Sequence, residues 1–91
     1  MTNLNEQLQI EREKIDIIDT RIVKLLDVRL KTVRNISEIK QKSGMPIFQA
    51  GREQNVLERV SNLSKNSDSC VEIFKKVMEE SRKFQEGLIC R

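Results

Sequence analysis

Between Leu4 and Lys42 the chain carries neither glycine nor proline, and apolar residues return at Leu8, Ile15, Ile18, Ile22, Leu25, Leu26, Val33, Ile36 and Ile39. Residues spaced by three, four and seven share one face at about 3.6 residues per turn, so this stretch predicts a single amphipathic helix over about 4–42. Gly44 and Pro46 supply the stop, a residue free to turn left-handed followed by one that cannot continue a helix. A second stripe of Val56, Leu57, Val60 and Leu63 predicts a helix over about 49–64. The polar run Lys65-Asn-Ser-Asp-Ser69 ends it and places Ser67 or Asp68 to cap a third helix over about 68–89. That helix turns Val71, Phe74, Val77, Met78, Phe84 and Leu88 to one side. The expectation is an all-α chain of three helices with a long first one, a single domain over residues 1–91 without internal repeats.

A first helix of that extent would be roughly 57 Å long at about 1.5 Å per residue. A globule of 91 residues is much narrower. The two shorter helices can cover only part of the stripe, which predicts that two copies of the chain pack their first helices together in a homodimer. Composition agrees, because 34% charged, 37% hydrophobic and 3% aromatic residues suit long amphipathic helices better than a sandwich or barrel.

Charge and cysteine usage narrow the classes further. The 17 basic residues are interleaved with 14 acidic ones and form no block, so nucleic acid is not an expected partner. There is no run of about 18 apolar residues and no charged start leading into an apolar segment. Neither a membrane span nor a signal peptide is therefore expected, and the location is read as cytoplasmic. The sequence has no histidine, and Cys70 and Cys90 stand 20 residues apart without a CxxC. Zinc-ligand spacing and a Cys-His nucleophile pair are thus missing from the sequence, both cysteines are read as free thiols, and no metal or cofactor is expected.

Candidate chemistry lies where polar residues interrupt the apolar faces. Arg29 is seven residues after Ile22 and four before Val33, and Lys40 is seven after Val33 and four after Ile36, so each stands where Leu or Ile would pack. Arg12, three before Ile15, borders the same face. On the third helix Ser81 lies four after Val77 and Gln85 three before Leu88. At the start of the second, Arg52 and Glu53 lie four and three before Val56, and Glu53 is also four before Leu57, so it leans inward. Singly each is ordinary, since long cations snorkel to water and Glu suits a first helical turn. Together they are costly, because unmatched buried charges cost on the order of several kcal/mol each. Cations outnumber the one carboxylate, so the expected partner is a small anion with more than one negative group.

Distance tests whether one chain suffices. Arg29 and Lys40 are 11 residues apart, roughly 16 Å along a helix, which a small dianion can bridge between long side chains. Arg12 and Arg29 are 17 apart, roughly 25 Å, which it cannot. If Arg12 takes part it must come from the partner chain.

Taken in order, Leu8-Gln-Ile-Glu-Arg-Glu-Lys-Ile-Asp-Ile-Ile-Asp19, Leu25-Leu-Asp-Val-Arg29, Lys40, Pro46-Ile, Arg52-Glu53 and Ser81-Arg-Lys-Phe-Gln85 closely resemble the all-helical, type II class of chorismate mutases. The resemblance covers nearly the whole chain. It implies an intertwined dimer that rearranges chorismate, a dicarboxylate, to prephenate on the route to phenylalanine and tyrosine. It also implies that Arg29 and the partner's Arg12 clamp the two carboxylates, while Lys40 reaches a carboxylate and the ether oxygen, and Gln85 is the second donor to that oxygen. Glu53 is similar to the acceptor of the substrate hydroxyl, with Ser81 and Arg52 as supporting contacts. The family often has an acidic residue where this chain has Gln49, which leaves a backbone contact to the hydroxyl in place and puts a side-chain one in question.

Two other readings stay open. Isochorismate-pyruvate lyases share the fold, the two arginines, the lysine and the glutamine, although Arg52-Glu53 and Ser81 look more like the mutases. A non-catalytic helical dimer or regulatory module would pack better with aliphatics at Arg29, Lys40 and Gln85.

Overall fold

The computed structural model describes residues 3–89. Three helices follow one another as α1 (Leu4–Ser43), α2 (Ala50–Leu63) and α3 (Ser67–Ile89), with no strand among the described residues. By internal contacts the chain divides between Lys31 and Thr32 into two compact units. The first is the α1 stretch up to Lys31, and the second holds the rest of α1 with α2 and α3.

In the first unit the helix starts on Asn3, whose side-chain Oδ1 accepts the Glu6 N–H at 2.8 Å and whose carbonyl accepts the Gln7 N–H at 3.0 Å. This cap satisfies a donor that every helix start leaves open. The predicted stripe is present but uncovered within the chain, with Ile15 54%, Ile22 48% and Leu25 68% exposed.

In the second unit α2 and α3 pack side by side around Val56, Val60 and Met78, with Leu57, Cys70, Val71 and Phe74 against them. All but Cys70 are positions that the two shorter stripes select, so helical periodicity translates largely into the core. Cys70 is a free thiol at the edge of this core and accepts a hydrogen bond from the Ser64 hydroxyl at 3.1 Å. Cys90, also expected to be free, lies outside the described residues. On the outer side of α3, Lys76 pairs with Glu79 at 3.1 Å and Glu80 at 3.4 Å. The hydrogen bond from Lys76, then the charges of Lys76 and Lys83, hold the Glu79 carboxyl below its ordinary range. Such exposed pairs add little stability and are screened by salt.

Three expectations need correction. Leu63 belongs to the predicted stripe of α2 yet is 78% exposed. It is the last residue of the helix, where Ser64 turns extended (φ −94°, ψ 140°), so no further turn carries it back over the core. The cap of α3 is Asn66, not Ser67 or Asp68: its carbonyl accepts the Cys70 N–H at 3.0 Å, and its own N–H is held by the Ser64 hydroxyl at 2.9 Å. Gln49 and Ser64 are the caps of α2, outside the helix itself. No helix among the described residues is long and apolar enough to cross a membrane.

The stop of α1 positions the site. Gly44 takes φ +68°, its N–H reaches the Gln41 carbonyl at 3.4 Å, and the Met45 N–H reaches the Lys40 carbonyl at 2.8 Å. This is the paired closure that ends helices on a left-handed glycine, and Pro46 then keeps the chain from re-entering the helix. A Cβ on Gly44 would meet nothing within 4 Å, so a substitution there is opposed by backbone conformation alone. Gly44→Ala is expected to lower the unfolding free energy by about 1 kcal/mol, with a smaller loss for Gly44→Asn, as read from urea unfolding.

Candidate active site

The second unit buries as many kinds of polar side chain as a site requires, and each can be traced to its element. Ser81 and Gln85 are 6% exposed and lie one turn apart on α3, Lys40 is partly buried near the end of α1, and Glu53 is partly buried in the first turn of α2. Lys40 brings two of these elements together. Its Nζ donates to the carbonyl of Ile47 at 2.8 Å and to Gln85 Oε1 at 3.3 Å. Because an ammonium only donates, this contact fixes which end of the Gln85 amide faces it and leaves Nε2 on the other side. That Nε2 donates to the Ser81 carbonyl at 3.4 Å, a long bond, while the Ser81 hydroxyl donates to the Val77 carbonyl at 2.8 Å. Among the described residues, one Lys40 hydrogen and one Gln85 amide hydrogen are therefore left over for a ligand, in a partly desolvated setting.

A second cluster stands at the start of α2. Glu53 Oε1 accepts from Arg82 Nη1, an ion pair whose side chains are only 22% and 29% exposed. The Arg82 guanidinium also lies over the ring of Phe48, 5.3 Å from its centre. Gln49 is the cap of α2, extended (φ −128°, ψ 98°), with its carbonyl accepting the Glu53 N–H at 3.1 Å and its side chain making no capping bond. The loop from Ile47 to Gln49 is thus held by Lys40 at its carbonyl, by Arg82 at its ring and by Glu53 at its end.

Of the residues singled out in the sequence, the structure joins Lys40 to Gln85, with Ser81 beside them, and gives Glu53 its inward lean. Arg52 is exposed, as a solvated first-turn residue would be. Arg29 is partly buried and Arg12 exposed in the first unit. Three contributors escaped sequence reasoning. Arg82 stands inside the motif Ser81 to Gln85 but gives no periodic signal of its own, and Phe48 is a loop residue. Ser37, four after Val33 and three before Lys40, sits on the inward face of α1, and its small size hid it. It is 2% exposed, and its hydroxyl has no hydrogen-bond partner among the described residues. An open groove of about 550 Å³ between α2 and α3, floored by Leu57 and Val71 and edged by Glu58, Asp68, Glu72 and Lys75, contains none of these residues.

Comparison with known proteins gives this arrangement a family. The sequence profile of chorismate mutase type II matches residues 11–86. The chain is 32% identical over 85 residues to the chorismate mutase of Methanocaldococcus jannaschii, an overlap of 89% of this chain and 86% of that protein. It is 39% identical over 82 residues to the bifunctional chorismate mutase/prephenate dehydratase of Buchnera aphidicola subsp. Schizaphis graminum. There the overlap is 86% of this chain but 21% of the relative, so the chain spans only about that share of its length. Among solved structures, a conserved hypothetical protein from Pyrococcus furiosus superposes with a TM-score of 0.74 at 35% identity, covering 87% of this chain and 95% of that one. The chain belongs to the chorismate mutase type II family.

The orphaned Ser37 hydroxyl yields a direct expectation. A buried group without a partner carries its desolvation cost unrelieved, so Ser37→Ala should raise the unfolding free energy by about 1 kcal/mol in urea titrations. A loss of stability would show that the hydroxyl is bonded in solution.

Proposed function

We propose that the protein converts chorismate to prephenate, in the synthesis of phenylalanine and tyrosine, by restraining the substrate and stabilising the charge that develops as it rearranges. The observation that carries this reading is the Lys40 ammonium set against the buried Gln85 amide, a donor pair contributed by two helices.

The reaction is intramolecular: one carbon–oxygen bond breaks, one carbon–carbon bond forms, and no proton or covalent enzyme intermediate is required. Positioning and electrostatics are then the available levers. The carbon–oxygen bond breaks ahead of carbon–carbon bond formation, so negative charge collects on the ether oxygen. The remaining Lys40 and Gln85 hydrogens strengthen their hold as it does, which favours the transition state over the bound substrate. In the same reading Arg29 and the partner's Arg12 hold the two carboxylates, as planar guanidinium forks do. Glu53 accepts the substrate hydroxyl, while Ser81, Arg52 and the backbone of Gln49 support the ends of the ligand.

A homodimer is part of the proposal. The face of α1 made by Ile15, Ile18, Ile22 and Leu25 is exposed in a single chain, and a second α1 is the natural cover for so long an apolar stripe. The proposed location is the cytoplasm, with which a free Cys70 thiol is in keeping.

Two measurements test this. Purified protein should remove chorismate absorbance and form prephenate, while leaving isochorismate unconverted; release of pyruvate from isochorismate would instead identify a lyase. Mixing inactive Arg12→Ala and Lys40→Ala chains, with time for exchange, should restore about a quarter of wild-type activity, since half the dimers would each hold one intact site. Absence of any recovery would mean that Arg12 acts within its own chain.

A further inference from the structure

We propose that Arg82 is a positioning residue for Glu53, and that it sets how well the site tolerates a dianionic substrate. The inference rests on the mutase reading above and adds to it a residue and a role.

A site for a dicarboxylate gains nothing from a bare carboxylate of its own, because like charges in a partly desolvated pocket repel. Glu53 is nevertheless there, partly buried at the first turn of α2. Arg82 resolves the conflict. It donates to Oε1 from α3, so the negative charge of Glu53 is compensated by a group that does not itself need to reach the ligand. Among the described residues only Oε1 of that carboxylate is paired, which leaves the lone pairs of Oε2 to accept a hydroxyl.

The guanidinium suits this task for three reasons. It lies over the Phe48 ring, 5.3 Å from the centre, a cation–π contact that limits its freedom before it pairs with the carboxylate. It sits between Ser81 and Gln85 on α3, so the same turn that carries the amide donor also carries the residue that orients the acceptor. Phe48 lies next to Ile47, whose carbonyl Lys40 holds, so the donor and acceptor sides of the site share one short loop. A lysine at position 82 would keep the charge but lose the planar fork.

The test is a double-mutant comparison in the full chain. Arg82→Ala should lower kcat/KM for chorismate roughly ten- to a hundredfold, as expected for loss of a charge-assisted hydrogen bond. In a Glu53→Ala background the same change should have little further effect, and Arg82→Lys should recover only part of the loss. A purely structural role predicts equal losses in both backgrounds, and that result would overturn the proposal. Should Arg82→Ala fail to fold by circular dichroism, Arg82→Gln carries the same comparison. A wild-type protein that leaves chorismate unchanged would overturn the mutase reading and this proposal with it. An active wild type with additive losses would overturn this proposal alone.

Discussion

The Lys40 ammonium is the interaction on which the arrangement of the second unit depends. A cation partly withdrawn from water must find acceptors, and here it finds the Ile47 carbonyl on the loop and the Gln85 amide oxygen on α3. The backbone of the same residue is also engaged, since its carbonyl accepts the Met45 N–H that closes α1. The end of the helix and the reach of its last functional side chain are therefore fixed by one residue. Gly44 makes this possible by adopting the left-handed turn that brings Met45 back onto Lys40.

The cost of this design shows in what the unit buries. Val33, Val56, Val60 and Met78 are its buried apolar residues among those described, and Ser37, Ser81 and Gln85 occupy equally buried positions. Polar groups in such places add stability only where hydrogen bonds replace water, and among the described residues Ser37 finds no partner. So thin a core in the second unit, and an α1 stripe in the first that one chain leaves exposed, are each in keeping with the link between function and association in the proposed reading. The surface that a second chain would cover belongs to the same helix that carries Arg12, Arg29 and Lys40.

Much of this was legible from spacing. The three helices follow from apolar periodicity, the stop of α1 from Gly44 and Pro46, and the inward lean of Glu53 from its distance to Leu57. Lys40 and Gln85 could be singled out because each replaces an aliphatic residue on a stripe. Their contact with each other could not, since they are 45 residues apart and periodicity describes one helix at a time. The pairing of Arg82 with Glu53 was hidden for the same reason. Ser37 gave no signal because a small polar residue fits both a buried face and an exposed one. The exposure of Leu63 depends on where α2 stops, which a stripe alone does not define.

The most direct measurement is kcat/KM of folded Lys40→Ala for conversion of chorismate to prephenate. Loss of a donor to the developing charge should reduce it by at least about a hundredfold, in line with the roughly 2.7 to 4 kcal/mol that such donors contribute. Turnover near that of the wild type would contradict the central place given to Lys40.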